Sequence, residues 1–124
     1  VVRVGTPGGW PNTEMRTPEK VAAAARVASE TGADFIKTFY TGDKKSFKVV
    51  LDNCSVPVLI LGGPKIDTDR AILELVHDAM DAGAAGITMG RNIWGHANIG
   101  GITTALSEII HNDASVESAY RLIQ

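Results

Sequence analysis

An α/β fold built on a parallel sheet is what this sequence predicts, and three observations predict it. Four short segments are apolar almost throughout, without the polar alternation that a sheet face left in water imposes. Each is followed by a stretch with apolar residues at helical spacing. Turn chemistry follows each of the four at its C-terminal end, where parallel sheets carry their sites.

The first strand is VVRVGT, Val1 to Thr6, followed by a turn-rich loop, PGGWPNTEMR. A helix is announced next by Thr17 as N-cap and Pro18 at the first helical position. Val21, Ala24, Ala25 and Ala28 give it an apolar stripe, and Gly32 stands where it should end. The second strand is ADFIKTFY, followed by TGD and a short helix through Phe47, Val50 and Leu51. The third is VPVLILG, with Pro57 tolerated because the ladder has barely begun there. Its helix runs from about Thr68 to Ala82, with Ile72, Leu75, Val76, Ala79 and Met80 on one face and Gly83 as the stop. The fourth strand is AAGITMG, followed by RNIWGH and a helix carrying Ile102, Ala105, Leu106, Ile109 and Ile110. A short helix over 114–123 closes the series.

The chain has 124 residues, 44% hydrophobic and 21% charged, which is enough apolar material for one core and predicts a single domain over 1–124. Twelve Lys and Arg against fourteen Asp and Glu, scattered along the chain, leave no basic patch for nucleic acid or an anionic membrane. The apolar runs fall short of a membrane span, and the N-terminus lacks a charged segment followed by an apolar one, so a cytoplasmic protein is expected. Cys54 is the only cysteine and reads as a small hydrophobe just before a strand.

Four βα units admit two architectures: a small open sheet, or the C-terminal half of an eight-stranded barrel, whose usual length of about 250 residues is roughly double this chain. The chain opens directly in a strand without an initiator Met, and turn chemistry at every strand's C-terminal end is the pattern of a barrel's functional face, so the half barrel is favoured. A half barrel leaves sheet edges and apolar surface unpaired, so a homo-oligomer, or a complex supplying the missing half, is expected.

One residue breaks the second strand. Lys37 puts an ammonium inside an apolar run, on the same side as Phe35 and Phe39 by strand alternation. If that side faces a barrel interior, desolvation favours the neutral amine, which attacks carbonyls and is how a Schiff-base lysine is made. The alternative is a lysine that reaches the strand end or pairs with Asp34 or Asp43. After the third strand, Gly62 and Gly63 in LGGPK can let the backbone approach a ligand and turn N–H groups toward an anion, although by itself such a pair more often merely turns the chain. After the fourth, in MGRNIW, Gly90 opens a turn and Arg91 begins a short helix. Barrels often hold phosphate between two such adjacent loops, so the joint presence of both pieces points to a phosphate site.

The series GADFIKTFYTGD, VPVLILGGPK and DAGAAGITMGRNIWGH resembles the C-terminal half of the class I aldolases of the archaeal type. This TIM-barrel group includes fructose-bisphosphate aldolase, an amino-dideoxy-heptulosonate synthase and a thiolase acting on phosphorylated autoinducer-2. The resemblance implies that the four strands are the fifth to eighth of the barrel and that Lys37 matches the Schiff-base lysine. It also implies that Gly62, Gly63, Gly90 and Arg91 match the positions holding the substrate phosphate. The expected activity is carbon–carbon lyase chemistry on a phosphorylated ketose, with no cofactor and no metal. Two departures stand out. The family's aldolases and synthase carry an acid/base tyrosine in a Tyr-Pro-Arg-Gly context where this chain reads Thr6-Pro7-Gly8-Gly9, and a threonine hydroxyl cannot replace it near neutrality. This adds weight to the alternative, the thiolase branch, which resembles this chain in the Lys-Thr-aromatic-Tyr pattern. The first-strand aspartate of parts of the family belongs to a half that this sequence lacks, so a half that binds phosphate esters or assembles with a partner, without catalysis of its own, is the alternative.

Other side chains carry weaker signals. Tyr40 falls on the opposite strand face from Lys37, and packing is its better reading. Glu14 reads as a solvated loop carboxylate and Trp10 as a pocket roof or a loop anchor. His96 follows the phosphate turn and reads as a surface histidine, with contact to a substrate oxygen as the alternative. His77 and His111 read as solvated, and three separated histidines give no zinc-site spacing.

Overall fold

The computed structural model describes residues 16–124. The predicted first strand, with Thr6, Trp10 and Glu14, lies outside the described residues. From Arg16 onward the order is α1 (Pro18–Glu30), β1 (Ile36–Thr38), α2 (Lys44–Asp52), β2 (Val58–Leu61), α3 (Asp69–Ala82), β3 (Gly86–Thr88), α4 (Arg91–Trp94), α5 (Ile99–Asn112) and α6 (Val116–Tyr120).

The helices begin where polar side chains satisfy their first N–H groups. Thr17 Oγ1 accepts from Lys20 N, Asp43 from Ser46 N, Thr68 from Ala71 N, Asn98 from Gly101 N and Ser115 from Ser118 N. Gly83 ends α3 in the left-handed region, at φ 112°, which a residue with a Cβ rarely adopts.

The three described strands are parallel and lie in sequence order, β1-β2-β3. The helices form one layer, α1 packing on α2, α2 on α3 and α3 on α5. Ile36, Val58, Ile60 and Met89 point into that layer and are buried, with Phe47, Val50, Leu73, Val76, Ile102 and Leu106 filling it from the helix side. The other sheet face, with Phe35, Lys37, Leu59, Leu61 and Thr88, is exposed or only half-buried.

Two expectations need adjusting. The laddered strands are three or four residues long, shorter than the apolar runs, because β1 takes its ladder from β2 and begins with Ile36 N donating to the Pro57 carbonyl at 2.9 Å. Helix α3 buries Leu73 completely while Leu75 and Met80 are half-buried. Packing against α2, α5 and α6 as well as the sheet widens the buried arc beyond one stripe.

Candidate functional site

The loops after β1, β2 and β3 lie on one rim of the sheet, as parallel strands require, and the sequence-predicted residues divide between that rim and the open face. Lys37 is in register with Leu59, and Leu59 with Gly86, so the three form one row across the open face. The Gly62 turn begins three residues beyond this row, roughly 10 Å along the strand direction. Lys37 is exposed, and its neighbour Phe35 is 57% exposed. The expected side of the strand is therefore observed, but the expected dryness is not. Among the described residues no layer covers this face, and desolvation needs a cover. An open groove of about 560 Å³ runs along the outer edge of β1, lined by Phe35 to Thr38 and by Ala24, Ala25 and Ala28 of α1.

The two glycine turns are brought together by a residue that sequence reasoning passed over. Asn92, in the one-turn helix α4, is 3% exposed and is the only buried polar side chain among the described residues. Its Oδ1 accepts from Ile66 N at 2.7 Å, and its Nδ2 donates to the carbonyls of Gly62 at 3.3 Å and Pro64 at 3.2 Å. A main-chain N–H can only donate and a carbonyl only accept, so these partners determine which way the amide faces. The sole signal in the sequence was an amide just after a glycine turn, and nothing in the spacing disclosed its partners.

The glycines themselves have separate reasons. A Cβ on Gly62 would stand 2.6 Å from Asn92 Nδ2 and 3.0 Å from Met89 Cγ, so the Asn92 staple excludes a side chain there. Gly63 has φ +64°, a left-handed turn. The Gly90 carbonyl accepts from Ile93 N at 2.8 Å and Trp94 N at 2.9 Å, closing α4. Arg91 is exposed and makes no ion pair among the described residues.

His96 corrects its prediction. Its side chain is only 13% exposed, Nε2 lies 2.8 Å from Asp69 Oδ1, and Nδ1 accepts from Asn98 N at 2.9 Å. Both nitrogens are engaged, so it is neither a surface histidine nor free for a substrate oxygen. It ties the end of the α4 loop to the start of α3. His111 is exposed and His77 half-buried. Tyr40 takes the packing role, with its ring edge-on to Phe47 at 5.2 Å. Its hydroxyl is buried without a hydrogen-bond partner among the described residues. Burial, reinforced by the Asp78 and Asp43 carboxylates, holds this phenol above its usual pKa. Arg16 stacks its guanidinium 4.1 Å from the Phe39 ring centre, at the start of the described chain. Among the described residues, no helix is long and apolar enough to cross a membrane.

The chain as a whole is similar to known proteins. The chain is 43% identical over 109 residues to 2-amino-3,7-dideoxy-D-threo-hept-6-ulosonate synthase of Halobacterium salinarum, covering 88% of this chain and 41% of that protein. It is 42% identical over 106 residues to a class 1 fructose-bisphosphate aldolase of Thermoproteus tenax, covering 85% and 40%. Its fold matches a solved Schiff-base-forming fructose-1,6-bisphosphate aldolase with a TM-score of 0.77 at 43% identity, over 84% of this chain and 42% of that one. The chain thus spans about 40% of the length of the curated relatives it matches. The profile described as DeoC/LacD family aldolase matches residues 9–96, a segment that holds Lys37, both glycine turns and the Asn92 staple between them, and on that match this chain belongs to the DeoC/LacD family of aldolases.

Proposed function

We propose that this chain carries the Schiff-base lysine and the phosphate cradle of a class I aldolase acting on a phosphorylated ketose, within a (β/α)8 barrel of which it forms strands five to eight. The observation that carries the reading is the juxtaposition of Lys37, on the open face of β1, with two glycine turns held side by side on the rim above it.

In this reading Gly62, Gly63 and Gly90 offer N–H groups to the ester phosphate, and Arg91 adds a cation with no competing carboxylate among the described residues. Anchoring the non-reacting end of the substrate positions its carbonyl against Nζ. The neutral amine adds to the ketone, giving a carbinolamine, and loss of water gives an iminium. A general base of the assembled barrel takes the proton of the hydroxyl on the carbon β to the iminium, the aldehyde C=O forms there as the bond between the α and β carbons breaks, and that bond's electron pair flows into the iminium to give an enamine. An aldehyde departs, and the enamine left behind is protonated and hydrolysed to free the second product and the lysine. The open face of the sheet is covered, in this reading, by the other half of the barrel, from a partner half or a second copy, and that cover supplies the desolvation the amine requires.

Borohydride reduction in the presence of dihydroxyacetone phosphate tests this, in an assembly that contains both barrel halves. A stable mass gain on Lys37, absent in Lys37→Met, is the expected result. Unmodified Lys37 under those conditions overturns the reading. Thr6, at the position of the family's acid/base tyrosine, favours a second reading, acyl transfer of the phospho-autoinducer-2 thiolase kind. The same trapped adduct without aldol cleavage in either direction would select it. Phosphate-ester binding by an assembly that forms no adduct would select the non-catalytic module.

A further inference from the structure

We propose that Asn92 is a positioning residue that couples the two glycine turns into a single anion cradle, so that neither turn binds the phosphate at full strength without the other. The proposal rests on the phosphate reading above and adds to it a residue that need not touch the substrate.

The physical reason lies in the hydrogen-bond inventory. A primary amide has two donors and an acceptor that takes two bonds, and Asn92 commits both ends to one turn: Oδ1 to Ile66 N, Nδ2 to the Gly62 and Pro64 carbonyls. Its own backbone belongs to the other turn, between Gly90 and Trp94. The residue is therefore a bridge, and at 3% exposure water cannot replace its bonds without opening the packing. Gly62 is shaped to it, because a Cβ would meet Nδ2 at 2.6 Å. The two carbonyls held by Asn92 are turned inward, away from any anion at the rim. Oxygens left free to rotate outward would repel the anion that the neighbouring N–H groups attract. A second tie, His96 to Asp69 at 2.8 Å, joins the far end of the same loop to the start of α3, so the loop is held at both ends and Asn92 sets the end nearest the glycines.

The test uses the chain itself, labelled with nitrogen-15 and titrated with inorganic phosphate while amide shifts of Gly62, Gly63, Gly90 and Arg91 are followed. In the parent chain both turns should respond together, with one dissociation constant. In Asn92→Ala that constant should rise at least tenfold, and the two turns should respond at different phosphate concentrations or one should cease to respond. The amide exchange of Ile60, Val76 and Leu106 in the core should stay within twofold of the parent. Asn92→Ser, whose hydroxyl can serve the Ile66 amide but cannot span to both carbonyls, keeps the test decisive if the alanine variant unfolds, and should show the same split. A shared constant within twofold of the parent in either folded variant overturns the coupling role and leaves the phosphate reading standing. Turns that fail to respond to phosphate in the parent overturn that reading, and this proposal with it.

Discussion

Lys37, Tyr40 and Gly62 show how one residue's role depends on what surrounds it. Lys37 was legible because a cation interrupts an apolar run, and alternation placed it on the face opposite the buried Ile36. Its solvation was not legible, because that depends on a layer over the open face. Tyr40 was legible as a packing residue, but the unpartnered state of its hydroxyl was not, since it depends on every neighbour at once. Tyr40→Phe removes a buried group that makes no hydrogen bond among the described residues and keeps the edge-on contact with Phe47. Urea denaturation should show stability between unchanged and about 1 kcal/mol higher. Gly62→Ala forces a methyl against Asn92 and Met89, and the same measurement should show a loss of about 1–3 kcal/mol.

At the level of elements, caps decide where the helices begin, and most were visible as Ser, Thr, Asp or Asn before an amphipathic run. Thr68→Ala leaves Ala71 N without its cap, and α3 carries much of the core, so a loss of about 1 kcal/mol in global stability is expected. Helix α2 adds a dependence on pH. The Ser46 hydroxyl and main-chain N–H, both donating to Asp43, hold its carboxyl below the usual carboxylate pKa. Because the folded value is depressed, this contribution is fully present above the unfolded pKa, about 3.9, and is lost as pH falls through the lower folded value. Asp43→Asn keeps a capping oxygen but removes the titration. Its acid-unfolding curve should lose part of the parent's fall below about pH 4, and an unchanged curve would show that the cap charge contributes nothing.

Among the described residues one sheet face is covered by helices and the other is open, with Phe35 57% exposed upon it. Apolar surface of this kind, beside a strand edge, favours association. Sedimentation velocity of the chain alone should show species heavier than 13.1 kDa that grow with concentration, and Phe35→Lys should shift the distribution toward monomer. A monomer at every concentration would argue that the open face needs no cover.

The sequence alone determined the α/β class and the order of the described elements, because strand and helix periods and cap residues are local properties. The three motifs around Lys37, Gly62–Gly63 and Gly90–Arg91 also carried the family. Only the tertiary structure decided that Asn92 staples the two turns, that His96 is bonded to Asp69, and that one sheet face is left open by the described residues. Those features join residues that are 26 to 30 positions apart, or depend on which layers are stacked, and no local pattern records such distances.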